Sequence, residues 1–278
     1  MSGLPDRVID HLRAVMEEPD LSGTRYVLGK EIGRGGMGVV YLASDTNLDR
    51  DVALKVLNHA ETSEAKTLAN LEHPGTVPVH DAGVLPDGRT FYVMKLVQGV
   101  RLDEYTAALP EALRLVARLC EPVAFAHARG ILHGDLKPEN VMLGSFGEVQ
   151  VLDWGVGRIL AGTEGYMSPE QALGSADARS DIFALGKILE FLLDGRTAPK
   201  PVRAIVRKAT EPDREARYQS ALDLSADITR FLDGRPVTAY RESMAEQVIR
   251  WVRRNITLVA LLVTYVLVRA LIFLFVRR

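Results

Sequence analysis

From Ile256 to Val276 only Thr257, Thr264, Tyr265 and Arg269 interrupt an apolar run of about 21 residues. As a helix at 1.5 Å per residue it reaches roughly 31 Å, enough to cross the hydrocarbon core of a bilayer. Arg269 opposes insertion by about 2.5–3.5 kcal/mol at the centre of a span. The surrounding leucines, valines and phenylalanines each return a few tenths or more, and an off-centre arginine can lift its head group toward the interface. Spanning therefore wins over an interfacial or a buried core helix. Arg250, Arg253 and Arg254 precede the run and Arg277 and Arg278 close it, flanks too even to set its orientation.

Over the whole chain 47% of residues are apolar and 25% charged, ordinary for a packed globular protein. A formal net charge of −2 gives the whole chain no drive toward nucleic acid. The single cysteine, Cys120, excludes a disulfide framework and a multi-cysteine zinc site. Its neighbours Leu115, Val116 and Leu119 place it on a buried helix face. The N-terminus carries no charged-then-apolar signal peptide; residues 4–18 read as a short amphipathic helix.

Periodicity divides the globular part in two. Residues 26–32, 39–43, 52–57, 77–84 and 91–96 are β-rich runs separated by glycine, proline and aspartate turns, with one helical stretch at 63–71. Beyond Leu102 the pattern turns helical: 112–128 sets Leu113, Val116, Leu119, Val123 and Ala126 on one face. Residues 182–193 are apolar nearly all round, as a buried helix would be, and 222–231 repeats the amphipathic pattern. A strand-rich small half and a helical large half predict an α+β protein of two lobes with a cleft between them. The expected organisation is a helical extension over 1–25, lobes over 26–97 and 98–233, a basic amphipathic stalk over 234–255, and the membrane helix over 256–276.

Chemistry-bearing segments follow the same division. Gly33, Gly35 and Gly36, with Gly38, Val39 and Val40, precede Tyr41-Leu42-Ala43, a strand pattern, so the glycines cap a hairpin rather than open a dinucleotide-binding helix. Backbone N–H groups there can approach phosphates because no Cβ intervenes. Taken alone, such a loop is also an ordinary glycine-rich hairpin. Val52-Ala53-Leu54-Lys55 follows in the next strand, where a lone lysine would usually be solvated. His133-Gly134-Asp135-Leu136-Lys137-Pro138-Glu139-Asn140 gathers a base, a cation and an amide in one loop. Val151-Leu152-Asp153-Trp154-Gly155 and Gly162 to Glu170 come next.

In this order the segments resemble those of bacterial, eukaryotic-like Ser/Thr protein kinases, from Tyr26 to Leu232. The resemblance implies a two-lobed kinase fold that transfers the γ-phosphate of ATP, with Mg2+, to Ser or Thr hydroxyls of proteins. It assigns ATP contacts to Ile32, Gly33, Arg34, Gly35, Gly36, Met37 and Gly38, apolar walls to Val40, Ala53 and Met142, and an adenine-side hinge to Met94, Lys95, Leu96 and Val97. It implies that Lys55 holds the α- and β-phosphates and is oriented by Glu64, with Glu61 as runner-up. Asp135 is the base, Lys137 steadies the transferring group, Asn140 and Asp153 bind magnesium, and Thr163 helps place the acceptor. Asp181 is expected to bond the catalytic-loop backbone, and Arg217 to pair with Glu170. The lysine two residues after Asp135 favours Ser/Thr over Tyr acceptors. Because ATP is cytosolic, the lobes are expected on the cytoplasmic side.

Three departures stand out. Gly134 replaces the arginine that in many relatives pairs with a phosphorylated activation loop, and Val156 to Ala161 contains no hydroxyl to phosphorylate. Trp154 replaces a phenylalanine. From Asp194 to Lys200 the chain runs almost directly into the next helix, where relatives carry another that helps to dock substrates. These departures leave two rivals: a nucleotide-binding pseudokinase scaffold, opposed by the retained Lys55, Asp135, Asn140 and Asp153, and a small-molecule phosphotransferase, opposed by Lys137-Pro138 and Ser168-Pro169-Glu170.

Overall fold

The computed structural model describes residues 18–36, 38–58, 67–154, 162–193, 195 and 197–276. Met37, Glu61, Glu64, Gly155 and the helix expected over 4–18 lie outside the described residues, as does 63–66 of the stretch expected over 63–71.

Five antiparallel strands, β1 (Tyr26–Gly35), β2 (Gly38–Asp45), β3 (Arg50–Leu57), β4 (Val79–Val84) and β5 (Thr90–Lys95), form one sheet in the order β1-β2-β3-β5-β4. The expected run at 77–84 starts two residues late because Pro78 has no N–H to give a ladder. β1 is longer than expected: Arg34 pairs with Val39 and Gly35 with Gly38, so part of the glycine segment lies within the hairpin strands themselves. Val52, Leu54 and Val56 point into one small core with Tyr41, Phe91 and Val93. The period of two then sends Ala53 and Lys55 to the opposite face.

The helical lobe is built on α1 (Leu109–His127), α2 (Pro169–Ala172), α3 (Ala178–Leu193), α4 (Lys200–Ala209) and α5 (Ala221–Leu232). The predicted α1 face is the buried one: Leu113, Val116, Leu119, Val123 and Ala126 meet Ile182, Leu185 and Leu189 of α3 and Leu224 and Ile228 of α5 in one core. Burial of each such aliphatic side chain is worth about 1.5–3 kcal/mol. Only residues 194–199 separate α3 from α4. A second sheet, β6 (Gly99–Arg101), β7 (Val141–Gly144) and β8 (Val149–Val151), lies at the junction of the lobes; its strands are too short for periodicity to reveal.

The packed lobe continues beyond Gly234. Fully buried Asp227 accepts bonds from Tyr218 Oη (2.9 Å), Thr238 N (2.8 Å), Thr238 Oγ1 (2.6 Å) and Ala239 N (3.0 Å), which draws Val237 and Tyr240 onto the core. Two helices follow, α6 (Met244–Arg254) and α7 (Ile256–Val276). Among the described residues α7 alone is long and apolar enough to cross a membrane, and none of the window Ile256–Phe273 is buried in the protein.

Cys120 is fully buried in α1, and burial pushes its thiol well above the ordinary range. The thiolate, not the thiol, is the nucleophile. Native protein should therefore leave a disulfide-exchange reagent unreacted, and one thiol per chain should titrate only after denaturation; rapid modification of the native chain would contradict this packing.

Candidate active site

The strand register assembles the upper wall. Val40 lies opposite Lys55, and Ala53 opposite Met94, so these side chains share the face turned toward the helical lobe. Gly38 (φ +155°) admits no side chain: a Cβ there would stand 2.0 Å from the Val56 carbonyl oxygen. Nothing approaches within 4 Å of where a Cβ would stand at Gly35 or Gly36, and the Gly36 carbonyl accepts from Asn58 Nδ2 at 3.2 Å. Arg34 holds Glu31 through two bonds of 3.0 and 2.8 Å. Ile32 and Lys95 are exposed at the rim, and Val97 and Met142 are half-buried.

Lys55, only 2% exposed, donates to Asp153 Oδ1 at 2.8 Å, joining positions 98 residues apart. Asp153 reaches it from a left-handed backbone (φ +48°), a conformation rare outside glycine, asparagine and aspartate. The β7–β8 hairpin explains the neighbouring residue. Val141 pairs with Val151, and Leu152 N donates to Asn140 O at 2.8 Å, so Asn140 is delivered beside the strand end that carries Asp153.

The loop from His133 to Asn140 is held at several points. Burial pushes the His133 imidazole below its ordinary value and keeps it neutral. Its Nε2 faces the Leu152 carbonyl at 2.9 Å, and Nδ1 accepts from Asp135 N at 3.3 Å, which sets the tautomer with the proton on Nε2. Gly134 sits at φ +76°, where an L side chain would be strained. Asp181 receives the N–H groups of His133 (2.9 Å) and Gly134 (3.0 Å) and contacts His127 Nε2 at 2.7 Å. Burial pushes its carboxyl up, yet these partners outweigh burial and hold it below the ordinary value.

Asp135 is oriented from three sides. Oδ1 accepts from Thr163 N (2.9 Å) and Thr163 Oγ1 (2.7 Å), while Lys137 Nζ lies 3.0 Å from Oδ2 and donates to Thr163 Oγ1 at 2.6 Å. Asn140 Nδ2 donates to the Asp135 carbonyl at 2.8 Å. Lys55, Asp135, Lys137, Asn140, Asp153 and Thr163, drawn from four stretches of chain, thus border one site. The pinning role of His133, the Leu152 backbone link and the bond from Gln171 Nε2 to Gly134 O at 2.5 Å were not foreseen. Only the position of His133 at the head of its motif hinted at the first.

The protein kinase domain family matches residues 26–234. The chain is a protein kinase family member. It is similar to the Ser/Thr-protein kinase PknB of Mycobacterium tuberculosis, 35% identical over an alignment 285 positions long that takes in 81% of this chain and 45% of that protein. It is also similar to PrkC of Bacillus subtilis, 34% identical over 277 residues covering 80% and 43%. The chain thus spans less than half the length of these curated relatives. Among solved structures, the kinase domain of M. tuberculosis PknI superimposes with a TM-score of 0.61 at 25% identity, over 74% of this chain and 95% of that one.

Two further features complete the candidate site. Trp154 is buried against His133, with ring centroids 5.0 Å apart, and its indole N–H finds no partner among the described residues. Below the site, Glu170 pairs with Arg217 through bonds of 2.6 and 2.7 Å and accepts from Ser180 Oγ at 2.8 Å. Burial opposes its ionisation, but Arg217 and the serine hydroxyls prevail and hold the Glu170 carboxyl at about 2.

Proposed function

We propose that the chain is an ATP- and magnesium-dependent Ser/Thr protein kinase held at a membrane by α7. The observation that carries this reading is the shared placement of Lys55–Asp153 and Asp135–Lys137–Asn140, because phosphoryl transfer needs little covalent chemistry from the protein and much positioning of charge.

The backbone of Gly35 and Gly36 would receive the triphosphate, and Lys55 its α- and β-phosphates. Val40, Ala53, Met94, Val97 and Met142 would wall the base. The donor set suits a hard cation: the Asp153 carboxylate and the Asn140 amide oxygen, which no donor claims among the described residues once Nδ2 is spent on Asp135. Two ligands do not complete a coordination shell, and among the described residues no cluster of three His, Cys, Asp or Glu side chains could hold a metal alone. The phosphate oxygens would complete it. When bound, magnesium would neutralise charge on the β- and γ-phosphates. Asp135, fixed by Thr163, would accept the hydroxyl proton of the substrate, and Lys137 would offset charge developing on the transferred group.

Transfer of label from Mg-ATP to a generic basic protein, and not to small-molecule acceptors, is the expected result. A raised melting temperature with Mg-ATP but no transfer would leave a nucleotide-binding scaffold instead. Activity is further expected without phosphorylation of the activation segment. Gly134 has no guanidinium to receive a phosphate, both of its backbone polar groups are already bonded, and 156–161 offers no hydroxyl. Phosphosite mapping after incubation with ATP should find no activating site that docks on the catalytic loop; finding one would refute this.

A further inference from the structure

Helix α6 is built the wrong way round for a soluble surface. At 100° per residue, Met244, Ala245, Val248, Ile249, Trp251 and Val252 occupy one arc, and Glu246, Gln247, Arg250, Arg253 and Arg254 the other. A helix on a globular protein turns such an apolar arc inward. Here two residues of the polar arc are tied to neighbouring chain: Glu246 accepts from Lys200 Nζ of α4 at 3.0 Å and from Tyr240 Oη at 2.8 Å, and Arg250 holds Glu242, just before the helix, through bonds of 2.8–3.0 Å, while Gln247, Arg253 and Arg254 stay exposed. The apolar arc faces out, with Met244 76%, Val248 59%, Ile249 52% and Trp251 54% exposed, and no residue of the helix is buried.

Position says what covers it. One residue, Asn255, separates α6 from α7, and its φ of −114° and ψ of 32° break the helix, so the chain can change direction there. A helix joined so closely to a span begins at the plane of the headgroups. Arg253 and Arg254 sit at that end and Trp251 beside them, the residue types that favour headgroups and the aromatic belt. A second copy fits less well, because 11 residues make three turns and a stable coiled coil needs three to four heptads.

We propose that α6 lies along the bilayer surface, its apolar arc in the headgroup–acyl boundary, and that its polar bonds to Lys200, Tyr240 and Glu242 thereby fix how the kinase lobes sit over the membrane. This rests on the reading of α7 as a span. It excludes an upright stalk, which would lift Met244 about 18 Å from the start of α7.

The test uses the full chain in phosphatidylcholine–phosphatidylglycerol vesicles doped with lipids brominated at shallow or deep acyl positions. Trp154 and Trp251 are the only tryptophans, and Trp154 is buried in the lobe, so quenching reports position 251. The second probe is Met244→Trp with Trp251→Phe. Stronger quenching by shallow than by deep bromines at both positions is expected, with loss of the Met244→Trp signal in Val248→Glu/Ile249→Glu although flotation with the vesicles persists. Quenching at 251 alone would show a stalk and overturn the proposal. Copy-to-copy crosslinking through Val248→Cys with no quenching at 244 would overturn it in favour of a dimer face. Failure of the chain to float would sink the span reading and this inference with it, whereas flotation without quenching sinks this inference alone.

Discussion

Asp135→Ala should lower phosphate transfer from Mg-ATP by about 10²–10⁴-fold, the usual loss when a general base is removed. That is roughly 3–5 kcal/mol of barrier. The effect should fall on turnover and spare nucleotide binding. Lys55 bonds Asp153, and Asn140 bonds the Asp135 main-chain carbonyl at 2.8 Å, which alanine keeps, while the longer 3.5 Å approach of Asn140 Nδ2 and the 3.0 Å approach of Lys137 Nζ to Asp135 Oδ2 are lost. Mg-ATP should accordingly still raise the melting temperature of the variant. The Thr163 N–H and hydroxyl lose their acceptor, so a small loss of stability is expected alongside. A variant that phosphorylates at the wild-type rate would remove Asp135 from the mechanism.

Arg217→Ala should destabilise the protein by about 3–5 kcal/mol, the cost of breaking a buried ion pair from one side. Its side chain is fully buried and also donates to the carbonyls of Glu211, Pro212 and Arg179. The substitution would strand the Glu170 carboxylate beside Ser180 with only a tenth of its side chain exposed. For a domain of this size the loss corresponds to a fall in melting temperature of roughly 6–20 °C. Acid makes the same point with the opposite handle. The folded-state value of Glu170, about 2, lies below its ordinary 4.5. The stabilisation from this pair is thus complete above about 4.5 and is lost as pH falls toward 2. In Arg217→Ala this acid-sensitive component should vanish, read as the difference between urea midpoints at neutral and low pH. A melting temperature within a degree or two of wild type would show that the pair is not worth what its burial implies.

Local order was legible because it is a local property. The five strands of the large sheet showed as β-branched and aromatic runs between turns, and the buried face of α1 showed as an i, i+3, i+4 repeat over several turns. Those signals reach no further than a few residues. β6, β7 and β8 span three or four residues each and fall below them, yet the β7–β8 hairpin is what delivers Asn140 beside Asp153. In β3 every residue from Val52 to Leu57 is buried, so composition alone could not say which face of that strand looks into the cleft. His133 stands at the head of the catalytic loop, but its neutral state and its tautomer follow from burial and from partners two and nineteen residues away.

By itself, the sequence determined the residue types available for phosphoryl transfer, their order along the chain, and an apolar helix long enough for a bilayer, because side-chain chemistry and short-range periodicity reside in the letters. Only the tertiary structure decided that Lys55 meets Asp153, that Thr163 and Lys137 aim Asp135, and that α6 turns its apolar side away from the protein. Those facts depend on strand register and on which surfaces the core leaves over. Both are set by contacts between residues far apart in the chain, where no local pattern reaches.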